Sequence, residues 1–95
     1  MILEVATLNI RPESRAAFES AFPAAAQILA SVDGYISHQL QRSVDTENRY
    51  LLLVNWKTKE HHTVGFRASP QYQEWRKLLH HFFDPPPAVE HYSLT

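Results

Sequence analysis

Five of the six histidines and both tryptophans lie between Trp56 and His91, so candidate chemistry concentrates in this stretch. A histidine side chain titrates near neutral pH and can therefore act as a general base or bind a metal ion. His61 and His62 are adjacent, so on a helix they point about 100° apart and only one can face a pocket. We select His62 as a catalytic base or anion partner, because it precedes Phe66 by four residues and shares that residue's helix face.

Several other side chains of this stretch suit a pocket for an aromatic ligand. Arg67 can hold a phenolate or carboxylate, although an arginine before a helix break also often caps backbone carbonyls. Tyr72 and Trp75 stand three residues apart on an apolar stripe, which fits a pocket wall or an ordinary core. Trp56 ends a strand and can be a wall or a hinge. His81 completes the candidate set, although its neighbours also suit an exposed position.

The sequence lacks the local motifs of several other chemistries. There are no cysteines, no HExxH motif, no GxSxG motif and no P-loop, and the chain contains only two glycines. We therefore expect no cofactor and no local metal motif. A metal site assembled through space from His38, His62 and His91 stays open as an alternative.

Length and composition favour a single domain over residues 1–95. A formal charge of −1 without a like-charge block argues against nucleic-acid binding. The N-terminal residues do not have the pattern of a signal peptide, and no apolar run approaches the ~20 residues of a membrane span. We expect a cytoplasmic protein without membrane contact.

The hydrophobic pattern predicts alternating strands and helices. Period-two or doubly apolar runs predict strands, and apolar residues three or four apart predict helices. Pro23 lies inside the first helical pattern and is expected to kink or divide it. Thr58 and Ser69 are candidate helix caps. The predicted elements are strands at Ile2–Ile10, Tyr35–Val44, Arg49–Trp56 and Ala88–Leu94, a helix from Pro12 to Asp33, and a second helix from Thr58 that restarts at Ser69-Pro70.

This order is βαβ followed by βαβ. Right-handed crossovers then give an α+β, ferredoxin-like split βαβ sandwich, in which a four-stranded antiparallel sheet carries both helices on one face. The other face keeps apolar residues from the third strand, either Leu51 and Leu53 or Leu52 and Val54, and needs a cover. We expect a homodimer formed through this open face.

The chain resembles the antibiotic biosynthesis monooxygenase family of dimeric α/β barrels. The resemblance rests on the strand end Asn55-Trp56-Lys57, the helix carrying His62, the Ser69-Pro70 restart and the closing strand with His91-Tyr92. It implies a cofactor-independent monooxygenase that oxidises a quinol-like or polyphenolic aromatic molecule with O₂. In such a site His62, Asn9 and Arg67 would be catalytic. The substrate would contact the residues Trp56, Phe66, Tyr72, Trp75 and His81.

Haem degradation, a second activity of that superfamily, fits less well. The helix position where a tryptophan is expected falls in Thr63-Val64-Gly65-Phe66, which contains none.

Two functions therefore stay open from the sequence. One is the monooxygenase, and the other is a non-catalytic dimeric module that binds a small apolar ligand or serves in assembly. A cavity of ~300 Å³ or more beside His62 would favour the enzyme, and a closed cavity too small for a bicyclic ring would favour the binding module.

Overall fold

The chain forms four β-strands, two α-helices and three short helical segments, and the computed structural model describes all residues 1–95. The strands are β1 (Ile2–Asn9), β2 (Tyr35–Arg42), β3 (Arg49–Trp56) and β4 (Ala88–Ser93). The α-helices are α1 (Arg15–Ala30) and α2 (Pro70–Leu79). The short segments are 3₁₀ turns at Pro12–Ser14 and His80–Phe82 and a π-helix at His61–Phe66. Neither α-helix combines the length and the apolar character that a membrane-spanning helix requires.

The strands form one antiparallel sheet in the order β2-β3-β1-β4. The central pair, β1 and β3, is in register from Ile2 opposite Trp56 to Asn9 opposite Arg49. β4 lies on the free edge of β1 and places His91 opposite Glu4. This topology confirms the predicted α+β, ferredoxin-like split βαβ fold.

One face of the sheet packs under the helices. Alternate residues of β1 and β3 are buried there, because side chains of a strand point to opposite faces in turn. They meet an apolar stripe of α1 and α2 that has the three- and four-residue spacing of a core-facing helix. The core residues from these four elements are Ala6, Leu8, Tyr50, Leu52, Val54, Trp56, Phe18, Phe22, Ala25, Leu29, Trp75 and Leu79. Glu4 is the one acidic residue buried among them, with 6% of its surface exposed.

Of the two effects predicted for Pro23, the division of the helix is wrong, because α1 is continuous from Arg15 to Ala30 with Pro23 inside it. The segment after Thr58, predicted as an α-helix, is a π-helix from His61 to Phe66. Its wider turn is visible in the backbone, where the N–H of Arg67 donates to the carbonyl of His62, five residues earlier, at 3.4 Å.

Both predicted caps are present. The hydroxyl oxygen of Thr58 accepts a hydrogen bond from the backbone N–H of His61 at 3.3 Å. That of Ser69 accepts one from the backbone N–H of Tyr72 at 3.2 Å, which begins α2. The second cap explains why the chain changes direction at Ser69 and starts a new helix.

The other face of the sheet carries no helix. Val5 of β1 lies opposite Leu53 of β3, and Leu3 and Leu51 lie on the same face of the sheet, opposite Asn55 and Thr7. All four leucine and valine side chains point away from the core. Leu51 has 36% of its surface exposed, and Tyr92 at the β4 edge has 48%. This open face is therefore an apolar strip that the chain itself leaves uncovered.

Candidate active site

A cavity of about 240 Å³ lies between the helix-covered face of the sheet and α2. Its walls are mostly apolar and aromatic, and its polar groups are few, as in most small-molecule sites. It is lined by Glu4, Ala6, Leu8, Leu29, Leu52, His62, Phe66, Arg67, Tyr72, Trp75, His80, Phe83, Pro86, Pro87 and Val89.

The polar end of the cavity is a cluster of Glu4, His62 and His91. Oε1 of Glu4 accepts a hydrogen bond from the indole N–H of Trp56 at 2.9 Å and lies 3.4 Å from Nε2 of His62. Nδ1 of His62 lies 2.8 Å from Nε2 of His91. The ring of His62 thus bridges the buried carboxyl group and a histidine on the edge strand.

Only one oxygen of Glu4 is occupied within the chain. Oε2 makes no hydrogen bond, whereas Oε1 contacts both Trp56 and His62. No fully buried side-chain nitrogen or oxygen in the structure lacks a hydrogen-bond partner. Oε2 must therefore border accessible space, and the cavity is the space that Glu4 lines.

Burial changes the acid–base behaviour of Glu4. Desolvation raises the pKa of Glu4 from 4.5 to about 7, although the hydrogen bond from Trp56 and the charge of Arg67 both oppose the rise. A carboxyl group with a pKa near the working pH can both accept and release a proton, which is what general base catalysis needs.

The same burial keeps His62 neutral. Desolvation, followed by the positive charges of Arg67 and His91, lowers the pKa of His62 from 6.5 to about 3. The spacing of His62 and Glu4 would permit an ion pair, but both shifts favour the uncharged forms. Since both ring nitrogens of His62 already face partners, its imidazole is not free to take a substrate proton directly.

Arg67 supplies positive charge at the mouth of the cavity. Its guanidinium makes no ion pair within the chain and is exposed. The positive charge of Arg67 still acts on the polar cluster, because it lowers the pKa of Glu4, His62 and His91. A free cation at the rim of an aromatic cavity suits a ligand that carries or develops negative charge.

Local structure explains how these groups meet. In β1, Glu4 alternates with residues of the opposite face and so points with Ala6 and Leu8 towards the helices. The π-helix turns both His62 and Phe66 inward, where the two rings pack with centroids 6.1 Å apart. Trp56 stands behind both, with its indole stacked on the His62 ring at 5.4 Å.

The structure brings five of the predicted site residues to the cavity, namely His62, Phe66, Arg67, Tyr72 and Trp75. Trp56 does not line it but orients Glu4 from behind.

Asn9 and His81 do not line the cavity. Asn9 has the opposite strand parity from Glu4, so its side chain lies on the other side of the sheet and accepts a hydrogen bond from Arg49 at 3.0 Å. His81 follows the end of α2 in the 3₁₀ turn, is exposed and packs on Phe82.

Sequence reasoning missed Glu4, although a signal was present. Glu4 is a carboxylate in the middle of a strand face that otherwise reads Ile2, Ala6, Leu8 and Ile10. A charged residue on an apolar face is either at a surface or in a functional site. His80 was also missed as a lining residue, and its pKa is lowered by burial and by Arg76.

The through-space metal site does not form. His62 and His91 contact each other, but His38 instead bonds through Nδ1 to the hydroxyl of Tyr35 at 2.6 Å and packs edge-on against Phe22. No group of three or more potential ligands is arranged to hold a metal ion.

The four-stranded ferredoxin-like fold is shared with solved structures of antibiotic biosynthesis monooxygenase family members. The model of that family, described as Antibiotic biosynthesis monooxygenase, matches residues 1–78, and the chain belongs to this family.

Two relatives are similar to this protein over nearly the whole chain. The Bacillus subtilis protein YczJ is 48% identical over 93 residues, which cover 98% of each chain. The crystal structure of a Bordetella bronchiseptica protein named after the family is 36% identical with a TM-score of 0.95, covering 99% of this chain and 96% of that one.

A more distant structure shares the fold. The cofactor-independent oxygenase SnoaB from Streptomyces nogalater superposes with a TM-score of 0.83 at 20% identity, over 99% of this chain and 92% of its own.

Proposed function

We propose that the protein is a cofactor-independent monooxygenase that oxidises a small hydroxylated aromatic molecule with O₂. The observation that carries the proposal is the buried Glu4 carboxyl group, whose free oxygen borders an aromatic cavity and whose pKa is raised to about 7. Membership of the family and the shared fold of SnoaB, a cofactor-independent oxygenase, support it.

The first step is removal of a phenolic proton. The ionised form of Glu4 accepts this proton at Oε2, and the substrate becomes a phenolate. A phenolate is electron-rich enough to transfer an electron to O₂ without help from a metal or flavin. For a phenol oxidised to a quinone, one oxygen atom enters the ring and the other leaves as water, so that phenol plus O₂ gives quinone plus water.

The other cavity residues hold the anion and exclude water. Arg67 stabilises the phenolate charge from the mouth of the cavity, where its guanidinium is otherwise unpaired. Neutral His62 keeps the carboxyl group in place through its 3.4 Å contact with Oε1. Phe66, Tyr72 and Trp75 form the apolar walls that keep the charge transfer away from bulk solvent.

The cavity volume limits the substrate. About 240 Å³ lies below the ~300 Å³ lower end of typical ligand sites. We therefore assign a substrate of one or two rings rather than a polycyclic polyphenol. The volume also lies below the ~300 Å³ that would favour the enzyme, so a module that binds a small aromatic molecule without converting it stays the alternative function.

An oxygen electrode distinguishes the two functions. Purified protein is incubated with a panel of mono- and bicyclic hydroquinones and naphthols, beside the matched variant Glu4→Gln, which keeps the size and the acceptor for Trp56 but cannot take a proton. We expect oxygen uptake that falls by at least ~10²-fold in the variant. Ligand binding without uptake in either protein would leave the binding module as the function, and equal uptake in both would remove Glu4 from the mechanism.

We also propose that the protein is a homodimer formed through the open face. The strip of Leu3, Val5, Leu51 and Leu53 lies on the face of the sheet that no helix covers. Burial of such a strip against its own copy removes apolar surface from water in both subunits at once.

A further inference from the structure

The cavity is lined by a second histidine that the proposed reaction does not use. His80 follows α2 at the start of the 3₁₀ turn and lines the cavity beside Tyr72 and Phe83. Its side chain is half-buried, and neither nitrogen of its ring makes a hydrogen bond within the chain. The histidine rings that do make such bonds are those of His38, His61, His62 and His91.

The ring of His80 is held in place, and its nitrogens are accessible. The ring packs against Tyr72 with centroids 6.1 Å apart and perpendicular planes, and against Phe83 at 5.5 Å. No fully buried side-chain nitrogen in the structure lacks a hydrogen-bond partner, so both ring nitrogens of His80 border accessible space. Since His80 lines the cavity, a ligand held there can reach this ring.

A row of aromatic rings joins His80 to the polar cluster. The centroids of His62 and Phe66 are 6.1 Å apart, and those of Phe66 and Tyr72 are 5.2 Å apart. Tyr72 in turn contacts His80. All four rings line the same cavity, and Glu4 lies beside His62. Glu4 and His80 therefore place hydrogen-bonding groups at the two ends of one aromatic wall.

The surroundings of His80 favour a neutral ring. Burial, followed by the positive charge of Arg76, lowers the pKa of His80 from 6.5. A neutral imidazole carries one N–H donor and one lone-pair acceptor. The ring can therefore accept a hydrogen bond from a phenolic hydroxyl group, and it can also donate one to the carbonyl oxygen of a quinone.

We propose that His80 is a specificity-determining residue, which hydrogen-bonds an oxygen atom at the end of the ligand that lies away from Glu4. The inference rests on the proposed function, which places the other oxygen of the ligand at Glu4. A ligand that fills the space between the two groups then uses one oxygen at each end. The cavity should accordingly select aromatic molecules with oxygen atoms at both ends over monophenols of the same size.

Anaerobic binding measurements test this selection without turnover. The two probes are 2-naphthol and 2,6-dihydroxynaphthalene, which share one ring system and differ by a hydroxyl group at its far end. Their dissociation constants are measured at neutral pH by quenching of tryptophan fluorescence, since Trp75 lines the cavity. We expect the diol to bind about three- to tenfold more tightly, as one additional neutral hydrogen bond predicts.

Two apolar variants remove the contact, so that the test does not depend on the folding of either one. His80→Phe and His80→Leu keep a side chain beside Tyr72 and Phe83 but offer no hydrogen-bonding group. In both, the preference for the diol should disappear, while the affinity for 2-naphthol stays within about twofold of that of the unchanged protein. His80→Gln keeps a donor and an acceptor and should retain a preference.

The neighbouring His81 provides the matched control. It is exposed and does not line the cavity, so His81→Phe should keep the full preference for the diol. Loss of the preference in this control as well would show an effect that does not come from the cavity and would count against the proposal.

Three results would overturn the proposal. One is equal affinity of the unchanged protein for the two probes, including no binding of either. Another is a preference for the diol that persists in both apolar variants. The third is a preference that persists in His80→Phe and disappears in Tyr72→Phe, which would assign the second contact to the tyrosine hydroxyl group. Oxygen uptake is measured separately, so the selection can fail while uptake succeeds, and it can hold in a protein that only binds its ligand.

Discussion

Trp56 donates its indole N–H to Oε1 of Glu4 at 2.9 Å, and this is the shortest contact that the buried carboxyl group makes. The two residues come from neighbouring central strands, and the indole is fully buried. A donor that favours the charged form lowers the pKa of a carboxyl group. Trp56 therefore limits how far burial can raise the pKa of Glu4.

Trp56→Phe removes this donor while keeping an aromatic ring. We expect the pKa of Glu4 to rise above about 7, so the base is deprotonated only at higher pH and the acidic limb of a pH–rate profile moves upward. Carbon-13 NMR of the Glu4 carboxyl group checks this directly. Trp75→Phe, which alters a cavity wall without touching Glu4 Oε1, is the control and should leave the midpoint in place.

Glu4→Gln should make the protein more stable at alkaline pH. The folded-state pKa of Glu4, about 7, lies above its ordinary 4.5, so its contribution to stability is fully present below pH 4.5 and is lost as the pH rises through about 7. The neutral amide avoids this loss. Urea unfolding should show a gain for the variant that is larger by ~2–3 kcal/mol at about pH 8 than at about pH 5.

His62 also makes stability depend on pH, but in the opposite direction and in acid. This dependence does not obscure the test of Glu4→Gln. Its folded-state pKa, about 3, lies below its ordinary 6.5, so its stabilising contribution is lost as the pH falls from 6.5 towards 3. Both proteins compared carry His62, so this loss is common to them. A gain for Glu4→Gln that did not depend on pH would show that Glu4 does not titrate near 7.

Strand patterns made most of this fold predictable. The bounds of β3 match the prediction, and the Ser69 cap marks the start of α2 as expected, because strand alternation and capping are local signals. The cluster of Glu4, His62 and His91 was harder to predict from the sequence. Glu4 meets His91 through a pairing between strands at opposite ends of the chain, and the π-helix that turns His62 inward has no local sequence signature.

Arg67→Gln should weaken binding of an anionic aromatic ligand. The exposed guanidinium has no partner in the chain and lies close enough to the cluster to lower the pKa of Glu4 and His62. We expect roughly a tenfold loss of affinity for a naphtholate, worth about 1.4 kcal/mol, measured by quenching of tryptophan fluorescence.

The control variant Lys77→Gln removes the same charge from an exposed site outside the cavity and should leave the affinity unchanged. Equal losses in both variants would indicate a general charge effect.

Gly34→Ala should destabilise the fold strongly, whereas Gly65→Ala should not. Gly34 has a φ of +86°, and a Cβ there would lie 2.2 Å from the ring of His61. The left-handed backbone and the clash together predict a cost of ~2–3 kcal/mol. At Gly65 the nearest atom to a new Cβ is 3.7 Å away, so the methyl group has room and favours the helix. Urea unfolding compares the two, and similar stabilities would contradict the described packing of His61 on Gly34.

Leu53→Glu should dissociate the proposed homodimer. Leu53 lies at the centre of the open face, between Val5 on β1 and Gln39 on β2. Two copies facing each other through this strip would each bury the new carboxylate without a partner, which costs several kcal/mol. Light scattering after size exclusion should give twice the chain mass of 11.0 kDa for the unchanged protein and the single mass for the variant.

The control variant Gln27→Glu adds the same charge at an exposed position of α1 and should leave the dimer intact. A single-chain mass for the unchanged protein at micromolar concentration would refute the dimer, and dissociation by both variants would place the interface elsewhere.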